Sequence, residues 1–156
     1  MIIAWDDLKI NFDHIDNNLL IEDWRWLVDD AQPILITSLG DMFLKEKSNE
    51  IFWLLTGTAE YIKVANSYQE FQKMLKDEIT VREWFLVPLI SKLKLNKKNL
   101  EKYKLYSPTI LPILGGKYEV ENYKLCDIEV HFSLTGQMNF QLKDIPDDTK
   151  IKFTIK

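Results

Sequence analysis

Residues 34–65 read ILITSLGDMFLKEKSNEIFWLLTGTAEYIKVA, four short runs of β-branched, aromatic and aliphatic side chains divided by turn residues. The pattern predicts strands over Ile34 to Ser38, Met42 to Glu46, Glu50 to Leu55 and Ala59 to Ala65, with turns at Leu39-Gly40-Asp41, Ser48-Asn49 and Thr56-Gly57-Thr58. That spacing suits an antiparallel meander.

Upstream, Ile15, Leu19, Ile21, Trp24, Leu27 and Val28 can share one face of a helix that Asp13 or Asp16 starts and Pro33 ends. Downstream, Ser67 with Glu70 and Thr80 with Glu83 each fit a capping box, predicting two helices. Tyr68, Phe71, Met74 and Leu75 form the core face of the first; Trp84, Phe85 and Leu89 serve the second, which Pro88 kinks. Ser107 to Pro112 holds two prolines and reads as extended. From Ile128 to Leu142 the apolar residues alternate as in a strand, yet they also cover a broad helical arc, so periodicity leaves both open. Pro146-Asp147-Asp148 reads as a turn, and Ile151, Phe153 and Ile155 alternate as a closing strand. The whole is an α+β fold, an antiparallel meander with flanking helices expected as a single compact domain over residues 1–156, the alternative being two subdomains, 1–78 and 79–156.

The chain has 156 residues, 46% of them hydrophobic and 28% charged, an ordinary globular balance that argues against disorder and coiled coil. No apolar run has membrane-spanning length, and the opening MIIAWDDLKI carries aspartates where a signal peptide has basic residues, so a cytoplasmic protein is expected. One cysteine, Cys126, allows no internal disulfide. The net charge of −4 is unevenly spread. Up to Asp30, Asp6, Asp7, Asp13, Asp16, Glu22, Asp23, Asp29 and Asp30 face only Lys9 and Arg25, whereas Lys92, Lys94, Lys97, Lys98, Lys102 and Lys104 cluster around Glu101 alone. The basic cluster reads as a solvated helix end and loop, with no direct nucleic-acid contact expected.

Chemistry-bearing constellations are sparse. Cys126 and His131 have no identifiable orienting partner, so no catalytic set is expected. His14, His131 and Cys126 show no metal-ligand spacing, and neither metal nor cofactor is predicted. Gly115 and Gly116, in the stretch PILGGKYEVEN, read as a tight turn, because Lys117 alone does not make a phosphate loop. Glu121, Asn122, His131 and Gln137 are polar groups among apolar neighbours, expected to stitch that loop to the C-terminal segment.

Taken in order, DWRWL (23–27), LGDMF (39–43), FWLLTGTAEYIKVANSYQEF (52–71), EWF (83–85), PILGGKYEVEN (112–122), VHFSLTGQ (130–137) and KDIPDDTKI (143–151) resemble the C-terminal domain of the immunity proteins that protect bacteria against type VI secretion DNase effectors. That domain often stands beside a GAD-like region. The half ending at Phe71 is distantly similar to the SMI1/KNR4 group. Leu55, Ala59 and Asp148 stand where the family pattern has an aspartate and two glycines. The resemblance implies a non-enzymatic binding protein that neutralises an effector toxin. A DNase groove is basic, so Asp6, Asp7, Asp13, Asp16, Asp29 and Asp30 form the expected partner-binding pool. The competing reading is a small-molecule or nucleotide-binding regulatory domain built on the Gly115-Gly116 loop, and a hydrolytic enzyme stands third.

Overall fold

The computed structural model describes residues 2–146 and 151–156. Five strands, β1 (Lys9–Ile10), β2 (Ala31–Thr37), β3 (Met42–Glu46), β4 (Ile51–Leu55) and β5 (Glu60–Ala65), pair antiparallel in chain order. The expected meander is present. A second ladder joins β6 (Lys104–Pro108) to β7 (Tyr123–Asp127). Around them lie α1 (Trp5–Leu8), α2 (Asn17–Ile21), α3 (Tyr68–Met74), α4 (Glu78–Trp84), α5 (Val87–Leu95) and α6 (Ile128–Leu142), giving a compact α+β unit.

Helices cover both faces of the sheet. Phe43 and Ile51 look toward Phe71, Phe85, Leu89, Ile90 and Leu93 of the α3–α5 region, while Met42, Leu44 and Leu54 look toward Leu20, Ile21, Trp24, Ile128 and Phe132. A strand buried on both sides has no reason to alternate polar with apolar, which is why MFL and IFWLL are continuous runs. Phe43 alone meets Trp53, Phe71, Trp84 and Phe85, with ring centroids 5.0–6.2 Å apart.

Several expectations at element ends need correction. The N-terminal helix is one short turn run, α2, capped by Asp16, whose Oδ1 accepts from the Asn18 N–H at 2.9 Å, followed by a 3-10 turn over Glu22–Trp24. Leu20 is buried and Leu19 is exposed. Pro33 ends no helix but lies inside β2, beside a register shift and outside the two-residue stretch that β1 covers, so its missing N–H breaks no inner ladder. Ser67 caps α3 as expected, accepting from the Glu70 N–H at 3.1 Å, while the Glu70 carboxylate reaches Asn66 N–H at 3.0 Å. The next cap is Asp77 rather than Thr80: its Oδ2 accepts from both the N–H and hydroxyl of Thr80. Pro88 does not kink a helix. It sits in the first turn of α5, where its missing N–H is one that goes unpaired in any helix, and the break falls at Leu86 with φ +47°.

Residues 128–142 are helical throughout. Residues 151–156 form no strand, and the turn expected at Pro146-Asp147-Asp148 falls mostly outside the described residues. No helix among the described residues is long and apolar enough to cross a membrane.

Candidate functional site

The inward face of α6 is unusual in its chemistry. Its buried positions are Ile128, His131, Phe132, Thr135, Gly136 and Asn139, spaced as one helical face, while Val130 and Phe140 are exposed. His131 is fully enclosed. Its Nε2 lies 2.9 Å from Gly40 O, which can only accept, so Nε2 carries the hydrogen and Nδ1 accepts from the Ser107 hydroxyl at 2.7 Å. Thr56 Oγ1 stands 3.1 Å from the same Nε2 and donates to Gly40 O at 2.8 Å. Asn139 Nδ2 donates to Thr56 O at 2.8 Å. The helix thereby grips the β2–β3 turn and the β4–β5 turn, both at one end of the meander, together with β6.

Gly40 makes this approach feasible. Its φ is +88°, and a Cβ there would stand 2.2 Å from His131 Nε2. Next to it, the Asp41 Oδ1 accepts from Thr56 N–H at 3.1 Å. Although Asp41 as a residue is only part-buried, its carboxyl is enclosed, and that burial pushes its pKa up to about 7 despite the Thr56 bonds. Burial likewise lowers the His131 pKa to about 4, against the opposing bond to Gly40. Ser107, His131, Thr56 and Asp41 form a continuous polar chain of hydroxyl, imidazole and carboxyl groups. Exposures of 7% at Ser107, 2% at Thr56 and 0% at His131 leave no room for a substrate, so the chain holds elements together. Cys126 is not among the partners of His131; it sits half-buried in β7 opposite Leu105, and burial raises its thiol pKa, away from the reactive thiolate. Among the described residues no group of three or more His, Cys, Asp or Glu side chains could hold a metal ion.

The glycine pair closes a loop on itself. Gly115 has φ +91° and ends a 3-10 turn over Pro112–Leu114, and Gly116 lies so close to the preceding chain that a Cβ would stand 1.8 Å from Ile110 O. Asn122 acts as a substitute backbone: Oδ1 accepts from Ile110 N–H at 2.9 Å, and Nδ2 donates to Ile110 O at 2.9 Å and Lys117 O at 3.0 Å. Among the described residues the expected stitch from this loop to the C-terminal segment does not form. Asn122 serves the loop itself, His131 serves the sheet turns, Gln137 bonds Ser133 and Lys156, and Glu121 is exposed. The cavity beside the loop, between Pro112, Tyr118, Tyr123 and Thr56, measures about 30 Å³, the share of a single water.

Two lysines of the basic cluster, Lys94 and Lys98, are used inside the fold, whereas Lys92, Lys97 and Lys102 are exposed as a solvated face would be. Lys98 Nζ donates to Val120 O at 2.9 Å and Tyr123 O at 3.1 Å, and the Tyr106 hydroxyl donates to Lys98 O. Lys94 pairs with Asp7 at 3.0 Å. Burial opposes ionisation of Asp7, but the Ala4 N–H and Lys94 outweigh it and hold its carboxyl below the usual range.

The six acids of the expected partner pool divide evenly. Asp7 is turned inward, Asp30 pairs with Lys47 at 2.6 Å, and Asp29 lies in the same exposed turn. Asp6, Asp13 and Asp16 instead line two adjoining surface grooves of about 670 Å³ each, where the arm between α1 and α2 crosses the uncovered part of β2. Phe12, Ile34 and Tyr68 are common to both, and Trp5 closes one end. Sequence reasoning found these acids but missed Trp5 and Tyr68, 43% and 44% exposed, because an aromatic residue in a short helix reads as core.

Residues 65–139 match the family model of the T6SS immunity protein Tdi1, C-terminal. The chain resembles that immunity family. The match covers just under half of the chain, from the end of β5 through α3–α5, the β6–β7 ladder and α6 as far as Asn139. It includes EWF, PILGGKYEVEN, VHFSLTGQ and the end of the 52–71 motif, and with them Ser107, His131 and Asn139 of the buried network. Gly40 and Thr56, which those residues grip, lie outside it. No curated protein matches the chain.

Proposed function

We propose that this protein is a non-enzymatic immunity protein, acting in the cytoplasm, that neutralises a secreted effector toxin by binding it directly. The observation that carries the reading is the match of residues 65–139 to the T6SS immunity family, whose members are generally non-enzymatic. The toxin expected is a DNase. Its substrate groove must attract phosphate and is therefore basic, and the docking face is the grooved arm where Asp6, Asp13 and Asp16 outnumber Lys9 and Lys45, with exposed Trp5 and Tyr68 as apolar anchors. Charges of this kind chiefly set the encounter rate, so reversing them slows association and flattens its salt dependence while the fold persists.

The test is co-expression with the toxin encoded beside this gene, scored by growth rescue and by co-purification. A complex with rescue is expected. Absence of both with every neighbouring toxin removes the immunity reading, whereas a complex indifferent to lysine substitutions at Asp6, Asp13 and Asp16 removes only the proposed face. The small-molecule reading has no support of its own, since Gly115, Glu121, Asn122 and His131 share no partner and the cavity beside the loop has about 30 Å³.

A further inference from the structure

The buried polar chain of Ser107, His131, Thr56 and Asp41 ends on an incomplete group. Asp41 Oδ1 accepts from Thr56 N–H at 3.1 Å and lies 3.4 Å from the Thr56 hydroxyl, whereas Oδ2 has no hydrogen-bond partner among the described residues. An enclosed carboxyl oxygen left without a partner costs free energy, and in folded proteins such atoms are bonded to protein or to ordered water. Tyr123 poses the same problem. It is 3% exposed, and its hydroxyl forms no hydrogen bond among the described residues.

Both side chains line the cavity of about 30 Å³ beside the glycine loop, and the exposed Tyr118 stands at its rim. Burial raises the pKa of both phenols, and the Asp41 charge raises each further, as groups facing one small space require. Leu39, Leu55, Leu86, Pro108 and Pro112 form much of the remaining wall, so an occupant is directed to the polar side. Size restricts that occupant. Holding one water takes at least about 10–15 Å³, so a cavity of about 30 Å³ admits one and excludes an organic ligand.

Chemistry restricts it further. Burial pushes the Asp41 pKa up to about 7, with the nearby Glu60 carboxylate also opposing ionisation, so near neutrality the carboxyl occurs in both forms. Protonated, it has to donate; ionised, it has to accept. A water molecule serves either form, and a tyrosine hydroxyl on its far side can donate or accept to match. An ammonium ion is of similar size but only donates, which suits the ionised form alone.

We propose that this cavity is a binding site for one ordered water, which bridges Asp41 Oδ2 to the Tyr123 hydroxyl. The bridge carries the polar chain from α6 and the two sheet turns on to β7 beside the glycine loop. The site is separate from the grooved arm, and its test needs no toxin.

The test is a high-resolution crystal structure of the full chain, grown without ammonium salts. A single density peak is expected within about 2.5–3.0 Å of both Asp41 Oδ2 and the Tyr123 hydroxyl. In crystals of Tyr123→Phe, which keeps the ring and removes one partner, the peak should be weak or gone. No peak in the unaltered protein, direct contact between the two side chains, or a peak unchanged in Tyr123→Phe overturns the proposal. A solution measurement separates water from a cation: the Asp41 carboxyl carbon is titrated by NMR in sodium chloride and in ammonium chloride of equal strength. Equal midpoints support the water, while a midpoint lowered by ammonium assigns the cavity to a cation and overturns the bridge.

Discussion

The middle strands of the meander and the inner face of α6 press against each other with opposite chemistry. Met42, Leu44 and Leu54 offer carbon on their side, whereas α6 answers with Phe132 and Ile128 but also with His131, Thr135 and Asn139. Apolar contact is non-directional, so the aliphatic side fixes little beyond how much surface is covered. The polar side is directional: His131 and Asn139 fit only where Gly40 O, Thr56 O and Ser107 Oγ stand. One half of this interface supplies burial, and the other supplies position.

The sharpest way to break that contrast is Gly40→Val, which puts a side chain where His131 Nε2 would be 2.2 Å from the new Cβ and forces a β-branched residue to φ +88°. A loss of about 3 kcal/mol or more is expected in denaturant melts. His131→Leu keeps the volume, leaves the Ser107 hydroxyl unpaired and leaves Gly40 O with the Thr56 hydroxyl alone, so it should cost about 2–3 kcal/mol, against less than about 1.5 for Leu44→Met within the apolar half. Equal costs for these two would erase the distinction.

Proton linkage sharpens it further. Asp41 in the fold titrates at about 7 against an ordinary 3.8, so the folded state holds a proton that the unfolded chain has lost, and stability falls as pH rises through that window. His131 at about 4 against 6.5 acts the other way, with stability falling as pH drops through its window. Between about pH 4 and 6.5 the two trends oppose and flatten the profile. Asp41→Asn should match the unaltered protein near pH 4 and exceed it above pH 7, as read from urea melts across that range; a variant that gains nothing at pH 8 would show the carboxyl to be solvated. Within the glycine loop, Gly116→Ala should cost more than Gly115→Ala, because the first meets backbone at Ile110 O and the second meets only the strain of φ +91°, about 1 kcal/mol. The smallest effect has the opposite sign. Ala59 occupies φ +60°, where any Cβ is strained, so Ala59→Gly should stabilise by up to about 1 kcal/mol in thermal melts.

The meander was legible because its signal is local: Met42–Glu46 appears as a strand at the expected bounds, and Ser67 caps the expected helix. Helix α6 was not, because three of its six inward positions are polar and one is glycine, while Val130 and Phe140 point outward. A hydrophobic count over 128–142 thus reads the wrong face. Of the acids expected at a partner surface, the sequence named all six, but only folding divided them into Asp6, Asp13 and Asp16 at the grooves and Asp7 and Asp30 in ion pairs.

By itself the amino-acid sequence determined the fold class, the order of strands β2 to β5 and the resemblance to an immunity family, since periodicity, turn residues and motif order all act over a few neighbouring residues. Only the tertiary structure decided what the polar side chains do. Whether His131 is a reactive group or a buried tie, and whether Gln137 faces solvent or holds a chain, depends on which distant carbonyls and hydroxyls arrive within about 3 Å. Gly40, Thr56, Ser107 and residues 154–156 are brought there by packing across the whole molecule.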